Sequence, residues 1–104
     1  MSTQPITAIL VDDEEKARNL LLMLLSEHCP QVQVLAQCKN VPEAVIAINK
    51  HNPALVFLDV DMPEYSGFQL LDFISMVDFE IIFTTAFSEY AVQAFRVSAL
   101  DYLM

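Results

Sequence analysis

Five short runs rich in apolar residues, at 6–11, 32–37, 55–60, 80–85 and 99–104, alternate with longer segments of helical character. That alternation restricts the chain to an α/β fold in which crossover helices join the strands of a parallel sheet. The first and third runs are nearly all apolar, as strands covered on both faces must be. The second alternates apolar and polar residues like a strand at a sheet edge.

Between the runs, Ala17, Leu20, Leu21, Leu24 and Leu25 recur at helical spacing over 14–29, with acidic residues in the first turn and Pro30 as the stop. Asn40, Pro42 and Glu43 form a helix start with a cap and an acidic third position, and this second helix runs to about His51 before Asn52 and Pro53 break it. A loop with Pro63 and Gly67 leads to a third expected helix over 68–76, its apolar face formed by Leu70, Leu71, Phe73 and Ile74. Ser88 is placed to cap a fourth, through Ser98.

With 104 residues, one core and a single domain over residues 1–104 are expected. Mean hydropathy is high at +0.42, yet charges and prolines interrupt the apolar residues well short of the roughly 18 to 20 needed to span a bilayer. The first ten residues lack the basic start of a secretory signal. A cytoplasmic location is expected, with no membrane partner. A net charge of −9 with only five scattered Lys and Arg argues against unaided nucleic-acid binding. Cys29 and Cys38 lack CxxC spacing and read as reduced structural thiols. His28 and His51 are isolated near helix ends and read as structural or solvated.

Ligands of a parallel α/β sheet sit beyond the carboxyl ends of its strands. Here the first strand ends in Asp12 and Asp13, the third in Asp59 with Asp61 just after it, and the fourth in Thr84 and Thr85. Right-handed crossovers bring these ends to one edge. Asp12 and Asp13 taken alone read equally well as a solvated, helix-capping pair. Asp59 is harder to explain structurally, because a carboxylate closing a buried apolar strand is costly unless paired or metal-bound. Converging carboxylates call for protonation or a hard divalent cation, and Mg²⁺ suits oxygen ligands that share it with a phosphate. Beside such a cation an ionised Asp59 can attack phosphorus and form an aspartyl phosphate. A Thr85 hydroxyl would hydrogen-bond a phosphoryl oxygen, with the small Ala86 leaving the approach open.

Val11-Asp12-Asp13-Glu14, Phe57-Leu58-Asp59-Val60-Asp61-Met62-Pro63 with Gly67, Thr84-Thr85-Ala86 and Asp101-Tyr102 together resemble a response-regulator receiver domain over essentially the whole chain. The resemblance implies a doubly wound, flavodoxin-like parallel sheet in the order 2-1-3-4-5. It implies that Asp59 takes a phosphoryl group from a sensor histidine kinase. Asp13 and Asp59 would ligate Mg²⁺ directly, Asp12 largely through water, and Asp61 through its backbone carbonyl. Thr85 and Tyr102 occupy the family's switch positions. The segments 84–91, Ala94-Phe95 and 99–103 look like the LytTR-type branch, whose members usually join the receiver to a DNA-binding domain absent from this chain.

The family places a Lys-Pro pair directly after the segment matching 101–104, where this chain ends. A C-terminally truncated receiver is therefore expected, lacking that cation, the rest of the fifth strand and the last helix. Its bared apolar surface would favour a homodimer, including one with exchanged elements. Such a chain would bind Mg²⁺ readily and hold phosphate poorly. It would not be an enzyme in the ordinary sense, catalysing at most its own phosphorylation and slow dephosphorylation. Two alternatives remain at this stage. One is a pseudo-receiver that only binds protein partners. The other is a haloacid-dehalogenase-type phosphatase, because Phe57-Leu58-Asp59-Val60-Asp61 also resembles that family's DxD nucleophile motif.

Overall fold

The computed structural model describes residues 4–84 and the backbone of Asp101–Tyr102. Elements follow in the order β1 (Ile6–Val11), α1 (Glu15–His28), β2 (Val32–Cys38), α2 (Val41–His51), β3 (Leu55–Leu58), a 3₁₀ segment (Gly67–Phe73) and β4 (Glu80–Phe83). Four strands run parallel in the order β2-β1-β3-β4. A two-residue β5, Asp101–Tyr102, pairs parallel with Ile82 and Phe83 at the far edge. The remainder of the expected fifth strand and the helix expected over 88–98 lie outside the described residues.

Side chains alternate across the pleat, so β1 feeds two cores. Ile9 and Val11 join Val56, Leu58, Ile81 and Phe83 under α2 and the 3₁₀ segment, where Val41, Ala44, Ile48 and Leu70 close the layer. Ala8 and Leu10 face the other way and pack with Phe57 and Leu25. Burial of each large apolar side chain contributes roughly 1.5–3 kcal/mol, so the sheet centre carries most of the driving force. The α1 face is the thinner one. Of the expected apolar stripe only Leu25 is fully buried, Ala17 and Leu21 are half-buried, and Leu20 and Leu24 are 53% and 40% exposed, beside Met23 at 51%. Six consecutive apolar residues, Leu20 to Leu25, fill every direction around a helix, and periodicity cannot say which of them meet the sheet.

Helix α2 starts as expected. Asn40 Oδ1 accepts the Glu43 N–H at 2.8 Å, Glu43 Oε1 accepts the Lys39 N–H at 3.0 Å, and Asn52 ends the helix in the left-handed conformation with φ 49°. The third helix does not form over 68–76. A 3₁₀ segment at Gly67–Phe73 takes its place, and Ile74 is already extended. Its two buried residues, Gly67 and Leu70, are three apart, which is one 3₁₀ turn. The Gln69 N–H donates to the Ser66 carbonyl at 3.0 Å and Gln69 Oε1 accepts the Ser66 N–H at 2.8 Å, so the segment winds tightly from its first residue.

Strand β3 is two residues shorter than expected and β4 ends at Phe83 with Thr84 already outside it, because the chain leaves the ladder where the unbroken apolar run ends. Single backbone bonds continue past them, from the Asp59 N–H to the Val11 carbonyl at 2.9 Å and from the Thr84 N–H to the Leu58 carbonyl at 3.0 Å. Asp59 is thereby tied to the sheet at its amide while its side chain is released from the strand pattern.

Candidate functional site

The carboxyl ends of β1 and β3 are neighbours in the sheet, and their registers align Val11 with Leu58. The residues that follow therefore emerge side by side. One carboxylate oxygen from each of Asp12, Asp13 and Asp59 lies within 4.8 Å of the other two. Asp12 and Asp59 are half-buried and Asp13 is exposed, so the cluster opens to solvent on one side.

Each half of the site is held by its own turn. Asp12 donates its N–H to the Cys38 carbonyl at 3.0 Å, and its Oδ1 accepts the Glu14 N–H at 2.9 Å. This side-chain-to-backbone bond supports the chain entering α1, where Glu14 is the N-cap residue and makes no capping bond of its own. Asp12 thus supports the turn into α1 without being its N-cap, and the same side chain stands in the acidic cluster. After β3, the Asp61 N–H donates to Asp59 Oδ1 at 3.3 Å, the Met62 N–H to the Val60 carbonyl at 3.1 Å, and the Gly67 N–H to the same Val60 carbonyl at 2.9 Å. Val60 and Met62 are buried, which anchors the turn from beneath. Glu64 has φ 68°, so the loop accepts a left-handed non-glycine residue to complete its course.

The electrostatics follow from crowding. Burial first, and then the Asp12 carboxylate, push the Asp59 carboxyl up to about 6, against the lowering effect of the Asp61 N–H. Asp12 is also raised, first by burial and then by Asp13 and Glu14. Three acidic groups in one cleft repel unless a cation joins them, and an all-oxygen set of carboxylates open to water suits a hard divalent ion that keeps water ligands. The residues present fit Mg²⁺.

Of the residues expected at the site, Asp12, Asp13 and Asp59 come together as carboxylates. Asp61 is exposed and its carboxylate is not part of the cluster, while its backbone is drawn to Asp59. Thr85 and the side chain of Tyr102 lie outside the described residues. Both cysteines are free, and burial pushes the Cys38 thiol up to about 11, consistent with a structural thiol. Sequence reasoning missed Arg18, whose Nη1 donates to the Asp12 carbonyl at 2.8 Å. The available signal was its position in the first turns of the helix that follows the aspartate pair.

Residues 8–104 match the response regulator receiver domain. The chain belongs to that family. The receiver is 44% identical over 103 residues to an uncharacterized response regulatory protein of Vibrio cholerae, covering 95% of this chain and 42% of that protein. It is 40% identical over 103 residues to the transcriptional regulatory protein BtsR of Escherichia coli, covering 95% of this chain and 41% of BtsR. The receiver thus spans less than half the length of these curated relatives. Among solved structures it resembles the response regulator TrrA of Thermotoga maritima in complex with Mg(2+)-BeF, with 31% identity and a TM-score of 0.81 over 94% of this chain and 84% of that one. The response regulator domain of Thermotoga maritima CheB, at 24% identity and a TM-score of 0.87 over 97% of this chain and 78% of that one, shares the fold. Family membership, with Asp59 directly after the third strand and an aspartate pair directly after the first, displaces the dehalogenase alternative. No helix among the described residues is long and apolar enough to cross a membrane.

Proposed function

We propose that Asp59 is the phosphoacceptor of this receiver and that Asp12, Asp13 and Asp59, with the Asp61 backbone carbonyl, hold the Mg²⁺ that the reaction needs. The observation carrying this reading is the convergence of the three carboxylates at the ends of two adjacent strands. Mg²⁺ supplies neutralisation of the phosphoryl oxygens and of the carboxylates themselves. The ionised Asp59 oxygen attacks phosphorus in line, the phosphorus–nitrogen bond of a kinase phosphohistidine breaks, and the leaving imidazole takes up a proton. The open side of the cleft, where Asp13 is exposed, gives the donor its approach.

Thr85 and Tyr102 serve as the switch pair in this reading, the hydroxyl moving to the phosphoryl group and the aromatic ring following it. A sensor histidine kinase is the donor. Output to DNA runs through a region outside this chain, in keeping with the transcriptional role named for BtsR. The LytTR-type branch and a homodimer complete the assignment, the first supported by the sequence of 84–103 and the second by the exposed Leu20, Met23 and Leu24.

The test is incubation with Mg²⁺ and a small phosphoramidate donor, followed by intact-mass measurement. One phosphoryl group on the wild type and none on Asp59→Asn is expected. Labelling that persists in Asp59→Asn would refute the acceptor assignment, and a wild type silent to both this donor and beryllium fluoride would leave a receiver that only binds proteins.

A further inference from the structure

Arg18 reaches back from the first turns of α1 to the end of β1. Its backbone N–H donates to the Glu14 carbonyl at 3.1 Å, closing the first helical turn, while its Nη1 donates to the Asp12 carbonyl at 2.8 Å. Asp12 is consequently held at three points, with its N–H on the Cys38 carbonyl, its Oδ1 under the Glu14 N–H and its carbonyl under Arg18. The Arg18 Nε is buried and has no hydrogen-bond partner among the described residues. A buried guanidinium N–H left unpaired opposes folding, so fold stability alone does not account for an arginine here. An apolar side chain of similar length would fill the same space without that penalty, giving up only the Nη1 bond to the Asp12 carbonyl.

We infer that Arg18 is a positioning residue for the metal site, clasping the Asp12 carbonyl so that the corner between β1 and α1 presents the Asp12 and Asp13 carboxylates toward Asp59. The inference rests on the proposed reading that these carboxylates hold Mg²⁺. Two effects of Arg18 oppose each other at such a site. The clasp orders two of the three carboxylates before the ion arrives, whereas the guanidinium charge repels the ion. Solvent on the open side of the cleft, where Asp13 is exposed, screens that charge. Geometry therefore outweighs charge. Removing Arg18 weakens Mg²⁺ binding even though it removes a like charge from the neighbourhood of the cation.

The experiment titrates Mg²⁺ into wild type, Arg18→Met and Arg18→Lys, following the Asp13 and Asp59 amide resonances, with urea unfolding of each metal-free protein. Arg18→Met is expected to raise the Mg²⁺ dissociation constant about ten-fold, as loss of an outer partner of a metal ligand does. Arg18→Lys, whose ammonium can donate to the same carbonyl, recovers part of that loss. The metal-free urea midpoint of Arg18→Met stays equal to wild type or rises. Equal or tighter Mg²⁺ binding by Arg18→Met overturns the inference, as does a fallen urea midpoint with a Mg²⁺ loss that lysine does not recover. A wild type that binds no Mg²⁺ overturns the metal site itself, and the positioning role with it.

Discussion

The N–H of Gly67 donates to the carbonyl oxygen of Val60 at 2.9 Å, and no β-carbon fits between the two backbone segments at that point. A Cβ on Gly67 would stand 2.9 Å from the Val60 Cα and closer still to the Asp59 carbonyl oxygen, both of them backbone atoms with no freedom to rotate away. Glycine is needed here for close approach, and its φ is not positive. Gly67→Ala is expected to cost about 2 kcal/mol, the usual scale for overpacking, read as a lower urea midpoint. Because the displaced strand end carries Asp59, Mg²⁺ affinity should fall as well.

Asp59→Asn should uncouple stability from function. It removes one of three crowded charges from a half-buried position, so metal-free stability at pH 7 should rise by about 1 kcal/mol, a figure kept small because the cleft is open to screening. Phosphorylation and Mg²⁺ binding should be lost together. Urea unfolding beside a Mg²⁺ titration makes the comparison.

The pH dependence follows in sign from the same crowding. The Asp59 carboxyl lies at about 6 in the folded protein against 3.8 for the free side chain, so the folded state holds the proton more tightly. The stability this contributes is complete below about pH 4 and is lost as pH rises through 6. Asp12, also raised, acts in the same direction. Metal-free wild type should therefore lose stability between pH 4 and pH 7 relative to Asp59→Asn, measured as the difference in urea midpoints. Saturating Mg²⁺ at pH 7 should restore it.

Asn40 accepts the Glu43 N–H at 2.8 Å as the cap of α2. Asn40→Ala should destabilise by about 1 kcal/mol, and Asn40→Asp should retain most of the cap. Urea unfolding monitored by far-ultraviolet circular dichroism reads both.

The fold was legible wherever local chemistry dominates. The boundaries of β1 match the expected run, and Asn40 and Asn52 bound α2 as capping and breaking chemistry require. The 3₁₀ segment escaped sequence reasoning because residues 68–76 carry an adequate helical pattern. Tightening onto Gly67 and Leu70 is decided by what lies across the layer. Of the site, Asp59 was legible as a charge closing an apolar strand. Arg18 was not, since nothing in its neighbours says that its guanidinium turns back toward the sheet.

By itself, then, the sequence determined the class of fold, the place of the first four strands along the chain and the acidic residues that follow β1 and β3. These follow from hydrophobic period and turn chemistry, which act over a few residues. Only the tertiary structure decided that Asp12, Asp13 and Asp59 come within 4.8 Å of one another, that Gly67 must lack a side chain, and which leucines of α1 are buried. Those facts depend on strand register and on the direction in which each helix crosses the sheet. Both are set by contacts between residues far apart in the chain, which no local pattern encodes.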